Sequence, residues 1–200
     1  MTYIIGITGG IASGKSTVVS FLQDAGYQVI DADKLVHRLQ DKGGKLYQVL
    51  VEYFGPAILD DAGEIDRPVL SRMLFNNPEL MAQSARLQSS IIRESLRQAK
   101  DQLSQKESIF FMDIPLLIEQ DYVGWFDAIW LVYVNHETQV SRLMHRNHYS
   151  KKDALKRLEH QMPLEAKKAV ATVIIDNNGS QEELKQRVSE LIHQDLSTIK

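Results

Sequence analysis

Apolar and polar positions along the chain predict five short strands separated by helices. Continuous apolar runs at residues 3–8, 109–112 and 128–134 resemble strands that are buried on both faces of a parallel sheet. Weaker runs at 27–30 and 172–175 predict two further strands. Between these runs, apolar residues recur mainly at helical spacing. The pattern therefore predicts an α/β fold, three layers deep, with helices on both faces of a five-stranded parallel sheet.

The segment between the second and third predicted strands is unusually long. From residue 43 to about residue 105 its pattern is almost wholly helical, with a turn at 60–63. Helix starts are predicted at Asp66-Arg67-Pro68 and at Asn77-Pro78-Glu79, where a capping side chain precedes a proline. A simple crossover needs only about a dozen residues. The excess predicts a helical lobe for a second substrate.

A glycine-rich turn follows the first predicted strand. Gly9, Gly14, Lys15 and Ser16 have the spacing of a phosphate-binding loop, in which glycines let backbone N–H groups approach an anion. The helix beginning near Lys15 adds its unpaired N–H groups and its positive end. We expect Lys15 at the β- and γ-phosphates and Ser16 on Mg²⁺. The residues expected to bind ATP in this loop are Gly9, Gly10, Ala12, Ser13, Gly14, Lys15, Ser16 and Thr17.

Carboxylates stand where predicted strands end, which is the edge at which parallel sheets bind ligands. Asp31 and Asp33 follow the second strand, and Asp113 closes the third. Asp113 is the first candidate for Mg²⁺, since phosphate-loop proteins commonly use an acid there. Each of the three could instead cap a helix or a turn. Which of them contacts the metal is left open by the sequence.

Basic residues concentrate late in the chain. Residues 142–168 contain eight lysines and arginines against three acids. A basic helical pair after the fourth strand could close over the ATP phosphates as a lid, with Arg146 and Arg142 as first candidates. A solvated helix face is the alternative. Asn177, in the loop after the fifth strand, could border the adenine or form an ordinary turn.

Composition excludes several classes of protein. The 200 residues carry 23 basic and 26 acidic side chains, so there is no basic excess typical of a nucleic-acid-binding protein. The absence of cysteine excludes disulfides and a cysteine nucleophile, and it fits a cytoplasmic location. We expect no signal peptide, because the N-terminus lacks a basic stretch and its apolar run is interrupted by Gly6 and Thr8. We expect no membrane span, because no apolar run approaches about 20 residues. The six histidines form no zinc motif.

Several stretches together resemble the dephospho-CoA kinase family, and the likeness runs nearly end to end. They are residues 6–17, 31–33, 113–117, 139–146, 161–164 and 175–179. The resemblance implies a phosphate-loop (P-loop) NTPase fold and transfer of phosphate from ATP to the ribose 3′-hydroxyl of dephospho-CoA, with Mg²⁺. It also implies three parts. These are a nucleotide-binding core (1–32, 106–140 and 163–200), a helical CoA-binding lobe (33–105) and a lid (141–162).

The resemblance also assigns residues. Asp33 matches the acid near the acceptor hydroxyl and Arg146 the lid arginine, so the expected catalytic set is Asp33, Lys15 and Arg146. The expected substrate-binding residues are Thr8, Asp33, Arg93 and Leu116. The chain departs from the family pattern at Gly43-Gly44, Ser89-Ser90 and Thr172.

Two other functions stay open at this point, and so does the oligomeric state. The same core could serve another small-molecule or nucleoside kinase, because the loop does not select the acceptor. A GTPase-type switch is a different class of function. It would need an Asn-Lys-x-Asp guanine motif, which the sequence lacks.

Overall fold

The computed structural model describes residues 2–159 and 161–196, with Asp195 described by its backbone alone. His160, within the predicted lid, and Met1 and the last four residues of the predicted core therefore lie outside the described residues. The chain divides into two units. One joins the chain up to Asp31 with the chain from Leu103 onward, and the other is Ala32–Gln102.

Strands and helices alternate over most of the chain. The strands are β1 (Tyr3–Gly9), β2 (Val29–Asp31), β3 (Ile109–Asp113), β4 (Ala128–Tyr133) and β5 (Val173–Asp176). The α-helices are α1 (Lys15–Asp24), α2 (Ala32–Gln40), α3 (Lys45–Phe54), α4 (Arg67–Phe75), α5 (Pro78–Ser104), α6 (His136–Asn147), α7 (Lys151–Leu158), α8 (Leu164–Lys167) and α9 (Gln181–Leu191). Single 3₁₀ turns lie at Gly55–Ile58 and Val123–Trp125, and a π-helical turn at Ile192–Leu196 follows α9.

The strands form one parallel sheet in the order β2-β3-β1-β4-β5. In the central strand β1, Ile7 lies beside Asp113 of β3 and Trp130 of β4. The carboxyl ends of three neighbouring strands therefore meet where the glycine-rich turn begins. The predicted five-stranded parallel sheet is confirmed.

Apolar side chains cover the sheet on both faces. On one face, strand residues pack against α1 and α9, and the buried members include Ile5, Ile7, Val18, Leu22, Phe111, Trp130, Val132, Ile175, Leu184 and Val188. On the other face, Leu131 packs against Leu164 of α8. A Cβ at Gly6 would lie 2.5 Å from Leu117, so the glycine allows the segment after β3 to pack close to the sheet. Burial on both faces explains the continuous apolar runs of the strands.

The unit Ala32–Gln102 is helical in the described structure and has its own apolar core. Its buried members are Leu46, Leu50, Ile58, Ile65 and Leu70. The predicted helix starts are confirmed. Asp66 accepts a hydrogen bond from the Val69 N–H at 2.9 Å, and Asn77 accepts one from the Leu80 N–H at 3.1 Å.

Predicted strand bounds were off by one or two residues at β2 and β5, and one of the capping alternatives is excluded. Strand β2 covers Val29–Asp31 rather than residues 27–30, so Asp31 belongs to the strand and pairs in register with Asp113. Helix α2 begins at Ala32, which places Asp33 inside its first turn and rules out Asp33 as an N-cap. An acidic side chain in a first turn is stabilised by the positive end of the helix, so Asp33 needs no capping role to be tolerated there.

None of the helices within residues 2–159 and 161–196 combines the length and apolar character that a membrane span requires.

Candidate active site

The turn between β1 and α1 has the backbone of a phosphate-binding loop. Gly14 precedes the helix with φ of +88°, and Ala12 has φ of +61°. This left-handed backbone conformation is one that residues other than glycine rarely adopt. Within the turn, the Ser13 N–H donates to the Gly10 carbonyl at 3.1 Å. The loop is therefore held in one defined shape and is not an open connection.

Several N–H groups of this loop have no partner in the described protein. They belong to Ala12, Gly14, Lys15 and Ser16, whereas the N–H of Thr17 donates to the Gly14 carbonyl at 3.0 Å. Unpaired N–H groups at a helix start carry partial positive charge. The loop thus presents donors for an anion such as a phosphate chain.

Polar side chains from later in the sequence hold the other groups of the loop. Asn177 Nδ2 donates to the Ser13 carbonyl at 2.7 Å, and Arg142 Nη2 donates to the Asn177 carbonyl at 2.9 Å. Gln139 Nε2 donates to the Ile11 carbonyl at 2.8 Å, and Gln161 Oε1 accepts from the Ile11 N–H at 3.0 Å. These contacts use backbone groups that the four unpaired donors do not include.

An ion pair lies at the sheet edge beside the loop. Lys15 Nζ contacts the Asp113 carboxylate, and the two side chains are 16% and 9% exposed. Asp113 closes β3 next to Asp31, which closes β2. Positive and negative groups are therefore both present at the carboxyl edge, where each could contact one part of a metal–phosphate complex.

Oxygen donors suited to Mg²⁺ are present but few. Among the described residues, no group of three or more histidine or acidic side chains is arranged to hold a metal ion. The candidates are the exposed Ser16 hydroxyl and the largely buried Asp113 carboxylate. Mg²⁺ is commonly bound by one or two such protein ligands together with substrate phosphates. The donor set fits a metal that arrives with a nucleotide.

Comparison with protein families decides which group of phosphate-loop proteins this is. The family model described as dephospho-CoA kinase (CoaE) matches residues 3–183. The chain belongs to the dephospho-CoA kinase family.

Similar proteins agree with this family. A dephospho-CoA kinase of Streptococcus agalactiae is 61% identical over 188 residues, covering 94% of this chain and 96% of that protein. One of Streptococcus mutans is 58% identical over 94% of this chain and 95% of its own length. The dephospho-CoA kinase structure from Campylobacter jejuni has a TM-score of 0.75 at 27% identity and covers both chains fully.

More distant structures share the fold alone. A shikimate kinase from Bacteroides thetaiotaomicron has a TM-score of 0.55 at 12% identity, over 96% of this chain and 98% of its own. The fold is therefore that of P-loop kinases, as the sequence predicts. The family narrows the function further than the fold does.

The predicted nucleotide-binding residues fall into two groups according to their contacts in the structure. The residues of the loop, with Asp113, Arg142 and Asn177, are brought together by direct contacts. Arg146 is not among them, because it lies exposed in the last turn of α6 and donates to Asn147 at 2.9 Å. Ser13 differs from the other loop residues, since its N–H is paired within the turn and its buried hydroxyl has no hydrogen-bond partner in the described structure. Its contact with ATP stays a prediction.

The predicted substrate-binding residues are spread over both units. Asp33 is exposed and Arg93 half-buried, both in the unit Ala32–Gln102, while Leu116 is half-buried in the segment after β3. Thr8 is fully buried, and its hydroxyl donates to the Pro115 carbonyl at 3.1 Å. This hydrogen bond indicates that Thr8 holds the segment that carries Leu116 in place. A direct contact of Thr8 with substrate stays a prediction.

Thr172, one of the departures from the family pattern, has a local structural role. Its hydroxyl lies 2.8 Å from the Ile129 N–H and 3.0 Å from the Ile129 carbonyl, where it extends the pairing of β4 with β5. At Gly44, a Cβ would lie 2.3 Å from the Leu39 carbonyl oxygen. This second departure therefore marks a close backbone approach within the helical unit.

Sequence reasoning missed three residues that support the site. Gln139 and Gln161 lie in stretches that carry the family resemblance, but we assigned them no role. Lys167 is completely buried and pairs with Glu119 at 2.8 Å, with its Nζ 3.5 Å from the Pro115 carbonyl. A signal was available for Gln139, because it is a polar side chain one helical turn before the buried Leu143.

Proposed function

We propose that this protein transfers the γ-phosphoryl group of ATP to the ribose 3′-hydroxyl of dephospho-CoA, giving CoA and ADP. This is the last step of CoA biosynthesis. The observation that carries the proposal is a dephospho-CoA kinase family match over residues 3–183, on a chain whose phosphate loop leaves four N–H donors unpaired. Membership of a kinase family implies ATP as the co-substrate.

The loop would bind the phosphate chain of ATP. Its unpaired N–H groups and the positive end of α1 favour negative charge, and Lys15 would neutralise the β- and γ-phosphates. Thr17 would contact the α-phosphate. The backbone of Gly9 and Gly10 would line the side of the phosphate site nearest β1. Arg142 and Asn177 would keep the loop in shape beside the nucleotide, which their contacts with each other and with Ser13 support.

Ser16 and Asp113 are the proposed Mg²⁺ ligands. Their oxygen atoms fit the ion, and Asp113 lies in contact with Lys15. When bound, the ion would neutralise charge on the β- and γ-phosphates. Pairing of Lys15 with Asp113 keeps two opposite charges beside the loop, so neither side chain has to be buried without a partner.

The unit Ala32–Gln102 is the proposed site of dephospho-CoA. Within it, Asp33 would orient the 3′-hydroxyl and accept its proton, and Arg93 would bind an anionic group of the substrate. Leu116 would contribute an apolar contact. The oxygen of the hydroxyl forms a bond to the γ-phosphorus while the bond to the β,γ-bridging oxygen of ADP breaks. Positioning and charge stabilisation dominate such transfers, so Asp33 should contribute less than the loop.

Residues 141–162 are the proposed lid, with Arg146 as the residue that reaches the transferring phosphate. Its exposure supports this role, as does its hydrogen bond to the neighbouring Asn147, because no hydrogen bond or ion pair within the described residues joins the guanidinium to a distant partner. An arginine at a transferring phosphoryl group stabilises the charge that develops in the transition state. We also propose a cytoplasmic location, where ATP is available.

The test is ADP release measured with and without dephospho-CoA, with the mass of the product determined. We expect ADP formation to depend on dephospho-CoA and the product to gain one phosphate. Nucleosides, nucleoside monophosphates and GTP in place of ATP are the comparison substrates, and Lys15→Ala controls for contaminating kinases. Acceptor-dependent turnover with a nucleoside but not with dephospho-CoA would overturn the proposal.

A further inference from the structure

We propose that Gln139 and Gln161 are positioning residues that set the direction of the phosphate-loop N–H groups and tie the loop to both ends of the lid. Gln139 belongs to the second turn of α6, just before the proposed lid, and Gln161 lies at the end of the lid, between α7 and α8. They hold Ile11 from both sides, at its carbonyl and at its N–H. This inference rests on the proposed use of the loop for ATP.

The Gln139 contact fixes a donor of the anion site. The Ile11 carbonyl, which accepts from Gln139 at 2.8 Å, belongs to the same peptide unit as the Ala12 N–H. In a trans peptide these two groups point in opposite directions. Gln139 therefore directs the unpaired Ala12 N–H away from itself.

The Gln161 contact fixes the preceding peptide in the same way. The Ile11 N–H donates to Gln161 at 3.0 Å, and the carbonyl of that peptide unit belongs to Gly10. The Gly10 carbonyl accepts the Ser13 N–H at 3.1 Å, which closes the turn. Two successive peptide planes are thus oriented by side chains that lie 128 and 150 residues away along the chain.

The backbone at Ala12 explains why this support is needed. Its φ of +61° is unfavourable for alanine, so the peptide before it would relax if nothing held it. Gly10 makes room for the contact, because a Cβ there would lie 2.5 Å from Gln139 Nε2. Gln139 itself is only 7% exposed, so its amide contacts are shielded from water.

Apolar packing joins the same residues to the lid helices. Val140 and Leu143 of α6 and Ala154 of α7 form a buried cluster, and Ile11 and Ala12 pack against it. The loop is therefore connected to α6 and α7 by hydrogen bonds and by side-chain packing. A displacement of these helices would change the orientation of the Ile11 peptides.

The same substitution at both glutamines tests the idea. Gln161→Glu keeps an oxygen that accepts the Ile11 N–H, whereas Gln139→Glu replaces the donor by a carboxylate facing the Ile11 carbonyl. Both variants add one negative charge next to the same residue, so each controls for electrostatic repulsion of the nucleotide. The measurements are the ADP dissociation constant by isothermal titration, the KM for each substrate and the melting temperature.

We expect Gln139→Glu to bind ADP roughly 5- to 150-fold more weakly than Gln161→Glu, the usual effect of leaving a buried polar group unpaired. The KM for ATP should rise in parallel, with the KM for dephospho-CoA little changed. Equal losses in the two variants would assign the effect to charge and overturn the inference. A fall in melting temperature with unchanged ADP affinity would also overturn it, since it would indicate a purely structural role.

A neutral pair decides the matter if Gln139→Glu does not fold. Gln139→Met should weaken ADP binding, and Ala12→Gly should recover part of that loss, because glycine adopts the left-handed conformation without strain. No recovery would refute the link between Gln139 and Ala12. ADP binding requires no acceptor, so a wrong choice of acceptor in the proposed function would appear only in the turnover assays.

Discussion

Replacing Gly14 by alanine tests how the phosphate loop is packed. A Cβ at Gly14 would lie 2.1 Å from Asn177 Nδ2, and the residue has φ of +88°. The left-handed backbone costs alanine about 1–2 kcal/mol. To avoid the Cβ, Asn177 must leave the Ser13 carbonyl, and an unpaired buried carbonyl costs about 1–3 kcal/mol more. The two costs together are about 2–5 kcal/mol.

Gly26→Ala is the matched control. Gly26 has φ of +89°, but nothing lies within 4 Å of a Cβ there. It should carry only the backbone cost of about 1–2 kcal/mol, and ADP affinity should be unchanged. The difference in free-energy cost between the two variants therefore measures the packing of Gly14 against Asn177. We expect it to be about 1–3 kcal/mol, which is roughly 5- to 150-fold in an equilibrium constant.

The assay combines urea unfolding without nucleotide and titration with ADP, so that a cost appears either as lost stability or as lost affinity. The summed loss should be larger for Gly14→Ala than for Gly26→Ala. Combining Gly14→Ala with Asn177→Ala should cost less than the sum of the single changes, because a truncated side chain no longer collides. Equal losses for the two glycine variants, or full additivity in the double variant, would refute the reasoning.

Four further changes address individual side chains. Asp33→Asn should lower kcat by about 10²–10⁴-fold without changing ADP affinity, as measured in steady-state assays. Asp113→Asn should raise the Mg²⁺ concentration for half-maximal activity by about tenfold or more, which a magnesium titration measures. Arg146→Ala should lower kcat by about 10³-fold or more while the free energy of unfolding stays within about 0.5 kcal/mol. Hydrogen bonds from Ser180 lower the pKa of Glu183. The ionised Glu183 should therefore stabilise the fold above its usual pKa of about 4.3, and this stabilisation should be lost as pH falls through the lowered pKa. Glu183→Gln should remove this pH dependence, which urea unfolding at several pH values measures.

Local sequence signals predicted most of the fold. The apolar runs identified the strands because both faces of the sheet are covered, and the proline and capping signals identified the starts of α4 and α5. The error at β2 has a physical cause. Tyr27 extends the apolar pattern, and the Gln28 carbonyl accepts a hydrogen bond from the Phe111 N–H at 3.0 Å, but the register with β3 begins at Val29. Strand pairing over three residues is too short for periodicity to locate its ends.

The candidate site was predictable only in part. Glycine spacing identifies the loop because it reports a local backbone requirement at Gly9 and Gly14. Strand order and the hydrogen-bond partners of Asn177, Gln139 and Gln161 depend on segments distant in sequence; the local pattern marks Gln139 as a polar residue on a buried helix face but does not identify its partner. The ion pair of Lys15 with Asp113 is intermediate, since a carboxylate at the end of β3 was expected near the loop without its partner being evident.

Some groups of the loop face the ligand and others face the rest of the protein, and this difference explains why only part of the site was predictable. Groups that serve the ligand are the free N–H donors, which all belong to residues of the motif itself. Groups that face away, such as the Ile11 and Ser13 carbonyls, must be paired because buried carbonyls without partners are costly. Their partners can come from any element that reaches them, here α6 and the loop after β5. A motif therefore specifies the side of the loop that binds, while the fold specifies the side that supports it.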